Sequence, residues 1–184
     1  MKATAQLKAE HEGITLMLRI LENVSRRLES GEQVDPAHLD KIIEFIRVFA
    51  DRCHHGKEED LLFPALEAAG IPKEGGPVGI MLLEHDEGRK HVRGMADALS
   101  RYRGAGVPAG RDFATHARHY VALLSEHIEK ENQVLFEMAD SVLSESKQDE
   151  LFEQFERVEE ERIGPGKHEE FHRLLEEIAR IYLK

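Results

Sequence analysis

Cysteine is nearly absent from this chain of 184 residues: Cys53 stands alone, which excludes an internal disulfide and any cysteine-rich zinc or iron–sulfur site. A metal held here has to use histidine and carboxylate ligands. Long apolar runs are missing too. No stretch approaches the ~20 apolar residues that span a bilayer, and the opening MKATAQLKAEHE lacks the apolar core of a signal peptide. Neither membrane insertion nor export is expected, and the predicted location is cytoplasmic. Positive charge is in deficit as well, since 25 Lys and Arg stand against 36 Asp and Glu for a formal charge of -11. That balance argues against nucleic acid and anionic lipid as partners, because both need a basic field. Most of it reads as the solvated surface of a mixed-charge helical protein.

What is present is a hydrophobic fraction of 41%, enough for one substantial core in one domain. Gly/Pro clusters punctuate the chain at "SGEQVDP" (30–36), "AAGIPKEGGPV" (68–78), "RGAGVPAGRD" (103–112), "SESK" (144–147) and "IGPGK" (163–167). Between them lie four long and two shorter helix-length segments. Asp35-Pro36 looks like an N-cap followed by proline at the first helical position, and Gly31 and Gly70 look like helix stops. Each long segment carries an apolar seam with steps of three and four. The first seam reads Leu7, His11, Ile14, Leu18, Leu21, Leu28, and the second Ile43, Ile46, Ala50, His54, Glu58, Leu61, Ala65. The third is Val78, Met81, His85, Gly88, Val92, Met95, Leu99, and the fourth Phe113, Ala117, Tyr120, Leu124, His127, Glu131, Val134, Met138. Histidine and glutamate stand where a bundle normally places leucine, and a buried carboxylate needs a partner.

The polar interruptions repeat. "HHGKEEDLLF" (54–63) aligns with "HIEKENQVLF" (127–136) at an offset of 73, and Glu10-His11-Glu12 aligns with Glu84-His85-Asp86 at an offset of 74. The chain is two helical hairpins in tandem, each giving one inward histidine from its first helix and His-x-x-x-Glu from its second. Residues four apart share a helix face with Cβ atoms about 5–6 Å apart, so His54 with Glu58, and His127 with Glu131, can converge on one point. Four imidazoles and two carboxylates suit a pair of borderline divalent metals bridged by the acids. Ferritin-type sites use Glu-x-x-His instead. Six such groups buried by coincidence would cost several kcal/mol, on the order of 1–3 for each unsatisfied group.

The motif chain His11, His54-x-x-x-Glu58, His85, His127-x-x-x-Glu131 resembles the hemerythrin-like, or HHE cation-binding, family over roughly residues 5–140. The resemblance implies an all-α, up-down-up-down four-helix bundle around a non-haem di-iron centre with an oxo or hydroxo bridge. The domain expected is a bundle over 1–143 with a short C-terminal helical extension over 144–184 packed on it or on a second subunit, a homodimer being compatible with either. The oxygen-carrying hemerythrins have His-x-x-x-His on the third helix, whereas here His85 is followed four residues later by Arg89. They end the fourth-helix motif with His-x-x-x-x-Asp rather than His127-x-x-x-Glu131. One histidine ligand is therefore missing or comes from elsewhere, which sets this chain apart from a reversible oxygen carrier.

Two places could supply it. His55 sits about 100° around the helix from His54, as either a metal ligand or a boundary histidine bonded to water or Glu59. Glu59, whose repeat partner is Asn132, is either a ligand or a solvated acid. The last segment, "HEEFHRLLEEIARIYL", places His168, His172, Leu175, Ala179 and Tyr182 along one side, as a His-x-x-x-His clamp or as the edge of a docking face. Phe152, Phe155 and Val158 should pack against the bundle or a second subunit. Tyr120 could aim its hydroxyl at the metals or a ligand they hold, or be a core aromatic. Gly88 could leave room for a small ligand or allow close helix contact, at about 1 kcal/mol of helix propensity. Cys53 reads as a small buried hydrophobe, and His38, His91, His116 and His119 as surface or boundary residues.

The function expected first is binding or sensing of O2, NO or peroxide at two iron ions, although the same ligands accept zinc or manganese. A redox enzyme acting on peroxide or NO, or an iron donor in iron–sulfur repair, is the second class. A metal-responsive interaction module is the third. Sustained turnover would mark the second, and metal-dependent partner binding the third.

Overall fold

A computed structural model describes residues 2–183, with the backbone alone at 104 and 105, and these residues form six helices and no strand. α1 spans Ala3–Glu29. α2 starts α-helical over Pro36–Phe45, widens to π-helix over Ile46–His55 and again over Glu58–Leu62, and ends α-helical over Phe63–Ala68. α3 is Pro77–Ala105. α4 is α-helical over Val107–Lys130, π-helical over Glu131–Leu135 and α-helical over Phe136–Val142. α5 (Glu145–Arg162) and α6 (Lys167–Tyr182) complete the chain.

The stops and starts follow local chemistry. The Asp35 carboxylate accepts a hydrogen bond of 2.9 Å from the Ala37 N–H, with Pro36 behind it where no amide hydrogen is needed. Gly31 and Gly70 end α1 and α2 at φ 84° and 96°, conformations that side chains resist. The break expected over 103–112 is different. Helix occupies all of it except Gly106, because the proline at the start of α4 is already suited to a first turn.

α4 packs along both α1 and α3, and α2 lies against α1 and α3, so the four long helices stand as a bundle. The extension is the two shorter helices that the breaks at 144–147 and 163–167 delimit, and they lie across α1 and α2. α5 inserts Leu151 and Phe155 among Leu7, Phe63, Leu66 and Phe136 at one end of the bundle. α6 inserts Phe171 and Ile178 at the other, where Phe171 meets Phe45 edge-on at 5.6 Å between centroids. Burying each such side chain is worth about 1.5–3 kcal/mol. The buried face of α6 is Phe171, Leu175, Ile178 and Tyr182, rotated from the expected one, so His172 is exposed and His168 lies at the edge.

The two apolar clusters are separate, and the layer between them is polar. The first and third expected seams hold on both sides of that layer; beyond it the second and fourth shift at Leu61, Val134 and Met138, while Ala65 stays buried. Leu61 is only partly buried and Val134 is half exposed, whereas Leu62 and Leu135 are fully inside. The cause is the π-helical turn that begins at each glutamate, Glu58–Leu62 and Glu131–Leu135. A turn closed by i→i+5 hydrogen bonds holds an extra residue and rotates everything after it. Met138 is displaced by the same slip, in favour of Phe136 and Ala139.

Candidate metal centre

Seven side chains fill the polar layer: His11 from α1, His54, His55 and Glu58 from α2, His85 from α3, and His127 and Glu131 from α4. Each residue is at most 5% exposed, and both glutamates are at 0%. They form two groups that share Glu58, namely His11, His54, Glu58, Glu131 and His55, Glu58, His85, His127, and in each group the potential ligand atoms lie within 4.8 Å of one another. The two glutamates tie the groups together. Glu131 places Oε2 3.2 Å from His11 Nε2 and Oε1 3.2 Å from His127 Nε2. Glu58 places Oε1 3.5 Å from His54 Nε2 and Oε2 3.5 Å from His85 Nε2.

An outer ring of acceptors orients the imidazoles. Through Nδ1–H, His54 donates to Glu10 (2.8 Å), His127 to Glu84 (2.8 Å), His85 to Glu59 (2.7 Å), His11 to the Asn132 carbonyl (2.9 Å) and His55 to Asp51 (3.3 Å). Carboxylates only accept, so the inward Nε2 atoms of the neutral rings carry lone pairs. Two such pairs face each other at 2.9 Å, His11 with His54, and at 3.1 Å, His85 with His127. Lone pairs at those distances repel unless a cation or a proton lies between them. All four carboxylate oxygens of Glu58 and Glu131 are buried without a hydrogen-bond donor, a costly condition in a protein interior. Inward lone pairs and orphaned anionic oxygens are the donor set that two divalent cations satisfy, so the residues present fit the metal centre that the motif implies.

The electrostatics fit as well. Burial, together with neighbouring imidazoles, holds His54 and His55 well below the usual histidine range, and burial holds His85 below it, which leaves neutral rings able to ligate. His127 is the exception: its desolvation is overcome by Glu131 and Glu84, which raise it to about 9. Burial and the nearby Glu131 push Glu58 up, whereas His127 and His11 overcome burial to hold Glu131 well down. Without metal the cluster keeps protons where cations would otherwise sit.

The seven include all six residues of the repeated motif together with His55, which stacks on His85 at 3.8 Å between centroids. Glu59 lies outside the groups and is only partly exposed. It accepts from His85 and from Arg89, whose guanidinium also donates to Asp51 at 2.9 Å, so Arg89 clamps the acceptors of His85 and His55 together. His168 and His172 stand apart: His168 lies near Glu10 and Glu159 in a separate cluster, and its ring is 5.1 Å from that of His172. Tyr120 is buried, its ionisation suppressed by burial, and its hydroxyl has no hydrogen-bond partner among the described residues. Gly88 lies against it, since a Cβ there would be 3.5 Å from Tyr120 Cε2. Both line a cavity of about 170 Å³ that reaches His55 and His85. Cys53 is buried, and desolvation pushes its thiol up to about 12.

Sequence reasoning assigned no role to Glu10, Glu84, Lys57, Lys130, Asn132, Asp51 or Glu159. Lys57 is wholly buried, 2.5 Å from both Glu10 and Glu159, and Lys130 pairs with Glu84. The signal was in the repeat: Glu10 with Glu84 and Lys57 with Lys130 recur at the same offsets as the ligands. Glu159 had none, because it arrives on α5 from outside the repeat.

A helical bundle with a buried His/carboxylate layer suited to two cations defines a class of metal-binding protein. The Hemerythrin HHE cation binding domain matches residues 2–139, and the chain belongs to that family. Among curated proteins it is similar to uncharacterized proteins of Mycobacterium bovis and of two strains of Mycobacterium tuberculosis, 27% identical over 162 residues. The match covers 88% of this chain and 63% of each relative, so the chain spans less than two thirds of their length. No helix among the described residues is long and apolar enough to cross a membrane.

Proposed function

We propose that this chain is a non-haem di-iron protein that binds or senses O2, NO or peroxide. His11, His54, Glu58 and Glu131 would hold one iron, and His55, Glu58, His85 and His127 the other. The observation that carries this reading is the pair of buried glutamates, each with one oxygen toward either histidine group and no hydrogen-bond donor on any of the four oxygens. Iron held there would supply redox chemistry. The chain's own residues set the imidazole tautomers through the outer acceptors, offset charge with two carboxylates, and exclude bulk water with apolar clusters on both sides.

The cavity against His55 and His85 favours a second reading, turnover of peroxide or NO rather than simple binding, because Tyr120 offers a hydroxyl able to hand a hydrogen bond or proton to a ligand there. Metal analysis of protein prepared anaerobically, with visible spectra before and after air and peroxide, tests both. Two irons per chain with reversible bands support binding or sensing. Bands that vanish as peroxide is consumed support the enzyme, and zinc or no metal would sink the redox reading.

A further inference from the structure

The cavity beside the second histidine group has a charge character that the rest of this acidic chain does not prepare for. Arg47, Arg89 and Arg93 line it against the single carboxylate of Asp51. Arg89 is neutralised by Asp51 and Glu59. Arg47 and Arg93 are exposed and carry no ion pair among the described residues, on a protein whose formal charge is -11. At the inner end stand His55 and His85, and in the wall the Tyr120 hydroxyl, 2% exposed as a residue and without a protein partner. Gly88 keeps that wall clear of a side chain.

Unpaired guanidiniums at the mouth, a desolvated hydroxyl donor inside and metal-facing imidazoles at the end form a graded set of sites for one kind of guest. We infer that the cavity is an access channel selective for a small anion of two to four heavy atoms, such as azide, nitrite or hydroperoxide, drawn in by Arg47 and Arg93 and held by a hydrogen bond from Tyr120. Its volume of about 170 Å³ admits such an ion with water beside it. Two uncompensated charges at a low-dielectric cleft raise the local concentration of an oppositely charged ligand, an effect of at least about tenfold on association rates at low salt. The inner end of the channel rests on the dinuclear reading; the mouth and the wall do not.

The test uses azide and NO as charged and neutral probes of the metal-loaded protein, and bromide as a probe of protein stripped by chelation. Stopped-flow association of azide should slow about tenfold at low ionic strength in the Arg47→Gln/Arg93→Gln double variant and lose its salt dependence, with NO association unchanged. Tyr120→Phe should leave the azide on-rate alone and weaken its affinity about tenfold, the size of a lost hydrogen bond to an ion. In crystals of the stripped protein, anomalous scattering should place bromide in the cavity of the natural sequence and not of the double variant. Equal salt dependence in both proteins, equal slowing of NO, or an empty cavity in the bromide-soaked natural sequence would overturn the channel. Failure of the protein to bind iron would sink the dinuclear reading alone and leave the bromide comparison to decide the channel.

Discussion

Lys57 and Lys130 hold the same place in the repeat and meet different surroundings. Lys57 is 0% exposed between Glu10 and Glu159, whereas Lys130, paired with Glu84, keeps 40% of its side chain in solvent. The two halves of the polar layer differ in the same sense throughout. On the His54 side, α5 lies over the bundle and brings Glu159 to the Lys57–Glu10–His54 chain. On the His127 side no such helix lies over Lys130, and the cavity opens beside His85 and His55. Three departures from the repeat lie at or beside the second histidine group: His55 stands for Ile128, Glu59 for Asn132 and Asp51 for Leu124. The repeat supplies ligands and the acids Glu10 and Glu84 in pairs, the cover over Lys57 comes from Glu159 outside the repeat, and the cavity beside His85 is lined by Asp51 and His55, which break it.

The largest break in the comparison comes from what both halves share. Glu58 belongs to both groups, so Glu58→Ala should empty both positions, a loss of more than about hundredfold in affinity for each metal, since even outer partners cost 10–100-fold. Metal analysis that found one position still filled would show that the carboxylate is not shared.

The lysines give the next effect. Lys57→Met leaves Glu10 and Glu159 facing each other in a buried place and should cost about 3–5 kcal/mol in denaturant unfolding. Lys130→Met removes a pair open to solvent and should cost at most about 1 kcal/mol. Equal losses would mean that α5 does not seal the first half.

Acid should act unevenly on the metal-free protein. His54, His55 and His85 sit below the ordinary 6.5 when folded, so the unfolded chain takes up protons first. The stability these rings allow is present above about pH 6.5 and is lost as pH falls from there. His127, raised to about 9, has the opposite sign: its contribution is present below 6.5 and fades as pH rises through 9. From pH 6.5 toward 5 His127 is level and Glu58, raised by burial, works against the decline, and the three rings together predict a melting temperature that falls. His55→Ala should flatten that decline, and an unchanged slope would put His55 outside the buried set.

Gly88→Ala should have the smallest effect. Its Cβ would meet Leu124 at 3.4 Å and Tyr120 at 3.5 Å, an ordinary contact. The gain in helix propensity, about 1 kcal/mol, should therefore appear as stabilisation, with the first half's metal untouched. Destabilisation would show that α3 and α4 cannot give way there.

How much of this was legible depended on whether helical period and repeat carried it. The seams through His11, His54, His85 and His127 follow from a period of 3.6, and the bundle and its six repeated polar residues follow from those seams. Leu61, Val134 and Met138 were misplaced because a π-helical turn leaves no mark in hydrophobic spacing until it has already shifted the register. His55 remained ambiguous for a related reason. Next to His54 in a regular helix it would turn about 100° away, and the wider turn of Ile46–His55 lets both rings face the layer. Arg89 looked like a lost ligand, and only its contacts with Asp51 and Glu59 show it to be a clamp. The face of α6 was misjudged because His168 and His172 mimic a seam that Phe171 and Ile178 occupy one position away.

The most direct test of two unequal metal positions is the metal content of His55→Ala beside the natural sequence, both loaded with iron and freed of excess. His55 belongs to the second group alone. The expected result is two irons per chain in the natural protein and one in the variant, with the remaining iron at the half covered by α5. Two irons in both would place His55 outside the coordination sphere, and loss of both from the variant would show that the halves do not fill independently.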